Sequence, residues 1–162
     1  MMINYANEEV KYSGCPGCSY AKGEFFLPCG MAYENERFTL SQDWELPIPG
    51  FMVISPKKCI ETLSELSDEE RSEMFELINK TIKILRENNV CSMFNVIFEE
   101  KEKRHFHVWI MPRYDWMKEK CGGITGCIDK VFEYAKNNMR NNENYEEIKR
   151  VSDIVRKGLI DE

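Results

Sequence analysis

The run HFHVWIM, residues 105–111, constrains this chain more than any other segment. Apolar Phe106, Val108 and Ile110 alternate with His105, His107 and Trp109, the period of a strand with one face in a core. Pro112 ends it. Upstream, VCSMFNVIF (90–98) reads as a second strand, and the charged EEKEKR between them as a turn pointing into solvent, so the pair predicts an antiparallel hairpin. His105 and His107 are the only 2 histidines of the chain. They fall on one face of one strand, about 7 Å apart.

The remaining elements assemble around that hairpin. RFTLSQDW (37–44) and FMVISP (51–56) read as strands split by the turn-forming ELPIPG. Ser67 with Glu70 makes a capping box for a long helix whose apolar stripe is Met74, Ile78, Ile82 and Leu85, ending at Asn88-Asn89. Ile128, Val131, Phe132, Ala135 and Met139 trace a second helix. Asn144 and Glu147 are expected to cap a last one carrying Ile148, Val151 and Val155, with Gly158 near its end. The stretch up to about residue 32 reads as irregular, with no helix starting at its Cys-x-x-Cys. The order of elements predicts an α+β fold, an antiparallel sheet with helices packed on it.

Composition limits the function. With 162 residues, 43% hydrophobic and 31% charged, the chain reads as one soluble globular domain. No apolar run reaches the roughly 18 residues of a membrane span, and the N-terminus carries no secretory pattern, so a cytoplasmic protein without membrane partners is expected. A net charge of −6 argues against nucleic acid as a partner. A small anion needs only a local patch, such as Lys57-Lys58 or Lys101, Lys103 and Arg104. The 7 cysteines, an odd number, point to metal binding or thiol reactivity rather than a disulfide framework.

HFHVWIMPR resembles the signature of the histidine triad (HIT) superfamily of nucleotidyl hydrolases and transferases. CPGCSYAKGE looks like the Cys-x-x-Cys opening of its zinc-containing members. The segment MAYENERFTLSQDWELPIPGFMVISPKKCIETLSELSDEE is similar to the family's run from strand through "PKKH" to the long helix, and MFNV sits where the family has an asparagine-bearing strand. The resemblance covers roughly residues 15–113. It implies a HIT-like domain over residues 1–113 with an N-terminal zinc-site segment, and a helical C-terminal extension, residues 114–162, packed on the same domain.

Carried over residue by residue, the resemblance makes His107 the nucleophile that attacks the α-phosphorus of a nucleotide and forms a covalent nucleotidyl-histidine. It implies structural zinc on Cys15, Cys18, Cys59 and His105, with cysteine where the family has the "PKKH" histidine. Asp43 would bind ribose, and Asn95, Trp109 and Arg113 would meet nucleotide or phosphate. Phe38 and Trp44 are candidates for contact with the base. The implied substrate is a dinucleoside polyphosphate, such as diadenosine tetraphosphate, or a phosphoramidate, and the implied assembly a homodimer. Two departures stand out: Trp109 occupies the third histidine position, and FEEKEKR lacks the family's Gly-rich phosphate loop. Alternatives therefore stay open: a zinc-stabilised nucleotide-binding module without turnover, a redox dithiol of Cys15 and Cys18, or Cys29 in place of Cys59 as third thiol ligand.

Overall fold

The computed structural model describes residues 2–101 and 104–160. Strands β1 (Met2–Ile3) and β2 (Glu9–Val10) pair with each other, and helix α1 spans Pro16–Ala21. Then come β3 (Met31–Glu34), β4 (Phe38–Gln42), β5 (Met52–Pro56), α2 (Asp68–Glu87), β6 (Phe94–Glu99) and β7 (His107–Pro112). Three helices close the chain: α3 (Asp115–Cys121), α4 (Ile128–Asn138) and α5 (Asn142–Ile160). The main sheet is antiparallel in the order β3-β4-β5-β7-β6. The α+β expectation therefore holds, as does the hairpin.

Register sorts the side chains. Thr39 and Ser41 oppose Ser55 and Val53, Val53 opposes Trp109, and Trp109 opposes Ile97. His107 opposes Glu99 and Met111 opposes Asn95 on that same face. The other face, with Phe38, Leu40, Met52, Ile54, Val108 and Ile110, packs against Met74, Ile78 and Leu85 of α2 and Val151 and Val155 of α5. Dehydrating these apolar groups is the main driving force for the fold, at about 25 cal/mol per Å². The capping box of α2 forms as expected: Glu70 N–H donates to Ser67 Oγ at 3.2 Å and Ser67 N–H to Glu70 Oε2 at 2.7 Å.

The face carrying the histidines is covered at its two ends. At one end, Met117 of α3 and Val131 and Ala135 of α4 bury Phe51 and Met111. At the other, Val10, Tyr20 and Phe25 of the N-terminal segment pack on Val53. Helix α5 and the link before it tie this segment down, through Tyr145 Oη donating to the Tyr5 carbonyl (2.6 Å) and Arg140 to Asn7 Oδ1 (2.9 Å).

Several boundaries differ from the sequence reading. Strand β7 begins at His107 rather than at residue 105, because the amide of Phe106 donates to the Ile60 carbonyl (2.8 Å) instead of to a strand partner. Strand β6 begins at Phe94 rather than Val90. The N-terminal stretch is not wholly irregular: α1 opens at Pro16, directly after Cys15, where proline suits the first helical position. The cap of α5 is Asn141, whose Oδ1 accepts the Asn144 amide at 3.0 Å. Asn144 lies inside the helix and donates to the Pro47 carbonyl (2.6 Å). No helix among the described residues is long and apolar enough to cross a membrane.

Candidate active site and metal centre

Between the N-terminal segment and the β6–β7 hairpin, the sheet face is open as a cleft of about 600 Å³. His107 and Trp109 form its floor, and Cys15, His105, Asp43 and Trp44 line it.

His107 is the first residue of β7 and half-buried. Its Nδ1 lies 3.1 Å from the His105 carbonyl oxygen. A carbonyl can only accept, so Nδ1 carries the proton in this bond. Burial pushes the ring below the usual histidine range, which keeps it neutral at neutral pH. A neutral ring with its proton on Nδ1 has its lone pair on Nε2, the arrangement a nucleophilic imidazole requires.

His105 is buried, and the same logic applies with the nitrogens exchanged. Its Nε2 donates to the Pro56 carbonyl at 2.7 Å, and burial again lowers its pKa. Nδ1 is thus the lone-pair nitrogen, and it lies 3.5 Å from Cys18 Sγ. The Sγ atoms of Cys15, Cys18 and Cys59 and a ring nitrogen of His105 all fall within 4.8 Å of one another. Tetrahedral zinc with three thiolates and one imidazole places its donors about 3.6–3.8 Å apart, so the set fits such an ion with slight contraction. The Pro56 carbonyl supplies the outer hydrogen bond that fixes a metal-binding imidazole. Burial and the neighbouring thiols push Cys18 up to about 12. At Cys15 burial also raises the thiol, but the amides of Cys18 and Gly17 and the adjacent thiols outweigh it and the net shift is downward.

One residue that the sequence reading passed over holds this cluster together. A Cβ on Gly17 would sit 2.1 Å from the His105 Cβ, so α1 can press on His105 only with glycine there. Its place inside Cys-x-x-Cys was the available signal. Cys29 is engaged elsewhere, 3.1 Å from Tyr5 Oη, and is not part of the cluster.

The other expected site residues divide. Asp43 is buried at the edge of the cleft, and its Oδ1 accepts the amides of Glu45 (2.9 Å) and Leu46 (2.7 Å). Burial nevertheless pushes its carboxyl up to about 7. Trp44 lines the cleft, whereas Phe38 points into the opposite core and cannot meet a base there. Asn95 shares the face of His107, but it lies outside the cleft lining, and its buried Oδ1 has no partner among the described residues. Arg113 is exposed just beyond β7 and is not part of the lining either. The charged turn does not simply face solvent: Glu99, Lys101 and Arg104 line the cleft, while Glu100 accepts the Leu63 amide at 2.7 Å. The expected contacts of Glu102 and Lys103 lie outside the described residues.

Trp109 is fixed by aromatic neighbours. Phe51 and Phe132 meet it edge-on, with ring centroids 5.8 and 5.6 Å away. The third position of the motif is thus packed against α4, outside the stretch that carries the resemblance.

Comparison with known proteins accords with this geometry. The family model of the HIT domain matches residues 26–116. An uncharacterized HIT-like protein of Methanocaldococcus jannaschii is 29% identical over 131 residues, covering 75% of this chain and 98% of its own. Among solved structures, a zinc-bound histidine triad family protein from Mycobacterium smegmatis superposes with a TM-score of 0.63 at 19% identity, covering 91% of this chain and 96% of its own. A hypothetical histidine triad nucleotide-binding protein from Sulfolobus tokodaii gives 0.62 at 20% identity, covering 91% and 93%. These two share the fold, and the matching domain model, spanning the strands, the long helix and both histidines, shows that the chain belongs to the HIT family.

Proposed function

We propose that this protein is a nucleotidyl hydrolase or transferase acting through a covalent nucleotidyl-His107. The observation that carries the reading is the 3.1 Å approach of His107 Nδ1 to the His105 carbonyl, which puts the proton on Nδ1 and the lone pair on Nε2. Nε2 attacks the α-phosphorus of a nucleoside 5′-phosphate derivative, the bond from phosphorus to the leaving group breaks, and water or another acceptor then takes the nucleotidyl group. While the adduct lasts, the ring is cationic, and its Nδ1–H bond to the carbonyl strengthens as a charge-assisted one. The substrate class is a dinucleoside polyphosphate or a phosphoramidate.

The cluster of Cys15, Cys18, Cys59 and His105 would hold zinc, whose chemistry here would be structural cross-linking of the start of α1 to the segment that leads into β7. Asp43 would take the ribose hydroxyls on its second oxygen, since Oδ1 is already engaged by two amides. Lys101 and Arg104 would face the phosphates from the cleft wall and Trp109 would meet the nucleotide from the floor, while Asn95 and Arg113, outside the lining, would touch only a substrate that extends beyond the cleft. A homodimer is the assembly we propose, for which the open β6 edge beside exposed Met93 offers surface.

One observation favours a binding module instead: Trp109 is packed between Phe51 and Phe132 and cannot carry a proton. The test compares wild type with His107→Ala on diadenosine tetraphosphate, adenosine 5′-phosphoramidate and UDP-sugars, following turnover and the adduct by intact mass. Activity or adduct lost in the variant supports the enzyme. Nucleotide binding with neither supports the module.

A further inference from the structure

We infer that Glu99 is the general base that discharges nucleotidyl-His107 to water, a task Trp109 cannot perform. This rests on the covalent reading above. Freeing the nucleotide requires a group to take the proton of the attacking water. Indole donates one hydrogen bond and accepts none, so the third motif position is closed to that role.

Among the described residues, three carboxyls line the cleft: Asp43, Glu45 and Glu99. The first spends Oδ1 on the amides of Glu45 and Leu46, and the second lies in the loop after β4 with no strand position opposite His107. Glu99 is the direct cross-strand partner of His107, on the same sheet face. Opposed residues of an antiparallel pair hold their Cβ atoms about 4.5–5.5 Å apart, so a glutamate here reaches over the neighbouring imidazole. Its carboxylate pairs with Lys101, which also lines the cleft and places a cation where phosphate oxygens would enter.

The step balances as follows. Water oxygen bonds to phosphorus while one of its protons passes to the Glu99 carboxylate. The P–Nε2 bond breaks and its electron pair returns to Nε2, restoring a neutral ring with Nδ1–H still on the His105 carbonyl. Glu99 then loses its proton to solvent.

The experiment follows Glu99→Gln and Glu99→Asp on adenosine 5′-phosphoramidate and diadenosine tetraphosphate. Leaving-group release in the first turnover and accumulation of adduct by intact mass are read separately from steady-state kcat. Glu99→Gln is expected to form the adduct at close to the wild-type rate, show a burst, and then turn over about 100-fold or more slowly. Glu99→Asp keeps the carboxylate and should recover part of that loss. Adduct formation in Glu99→Gln also shows that the variant is folded. Steady-state turnover of Glu99→Gln within about threefold of wild type, or adduct formation falling in step with turnover, overturns the inference. Turnover by wild type with no adduct on either substrate in wild type or in Glu99→Gln overturns the nucleotidyl-enzyme reading itself, and the role of Glu99 with it.

Discussion

The rings of His107 and Trp109 lie 5.4 Å apart and are inclined at 51° to each other. The nucleophile candidate thus has an aromatic wall where a relay histidine would stand, and that wall is braced from behind by Phe132 of α4.

Replacing the wall separates its two effects. Trp109→His removes edge-on contacts with Phe51 and Phe132 and should cost about 2 kcal/mol of stability, measured by urea unfolding, since the site is partly exposed. It also introduces a proton carrier beside His107. Turnover of substrates with basic leaving groups should rise about tenfold or more, while good leaving groups gain little. Equal gains for both would count against a proton-transfer role at that position.

Gly17→Ala should strike the thiol cluster without changing any donor. The added methyl would overlap the His105 side chain, so either α1 or the ring must move. Zinc content after purification should fall, with affinity reduced about 10–100-fold, comparable to the loss of an outer-shell partner. Unfolding by heat with and without a chelator checks the same point. Wild type should lose stability on chelation and Gly17→Ala should lose less, because its bound fraction is already low.

Asp43 gives a pH signature. Its folded-state pKa is about 7, against an ordinary value of 3.8, chiefly through burial. Between those values the folded form keeps a proton that the unfolded chain has released. Stability from this group is full below about pH 4, falls by about 4 kcal/mol as pH rises through 7, and is then flat. Asp43→Asn keeps an oxygen for the amides of Glu45 and Leu46 and has no such slope. The difference in unfolding free energy between the variant and wild type should therefore widen from pH 4 to pH 7. Parallel curves would mean that Asp43 is ionised in the folded protein throughout.

Gly158→Ala should test how α5 seats on α2. A Cβ there would lie 2.8 Å from Ile84 Cδ1, and Ile84 is buried. The expected cost is about 1–3 kcal/mol, partly recovered in the double variant with Ile84→Val.

How much of this was legible in the sequence depended on how local each cause is. The capping box of α2 and the alternation of residues 106–110 are set by neighbours in the chain, and both read correctly. Phe38 misled although the alternation of Phe38 and Leu40 with Thr39 and Ser41 already sets it on the apolar side of β4, the side that packs against α2 and α5. Glu99 and Lys101 read as a solvated turn because their charge is visible in the sequence while the cleft that receives them is not. The cap of α5 was missed by three residues because asparagines stand at 141, 142 and 144, and only the fold decides which one turns back on the helix. The four candidate metal ligands were named through resemblance, and the contact of Gly17 on His105 needed coordinates.

His105 spends its two ends on different partners: its ring sits among three thiols, and its own carbonyl dictates which nitrogen of His107 is bare. A single residue therefore joins the thiol cluster to the orientation of the neighbouring imidazole. The Pro56 carbonyl and the close approach of Gly17 hold that ring from two further sides, so the carbonyl that orients His107 is anchored through its own side chain.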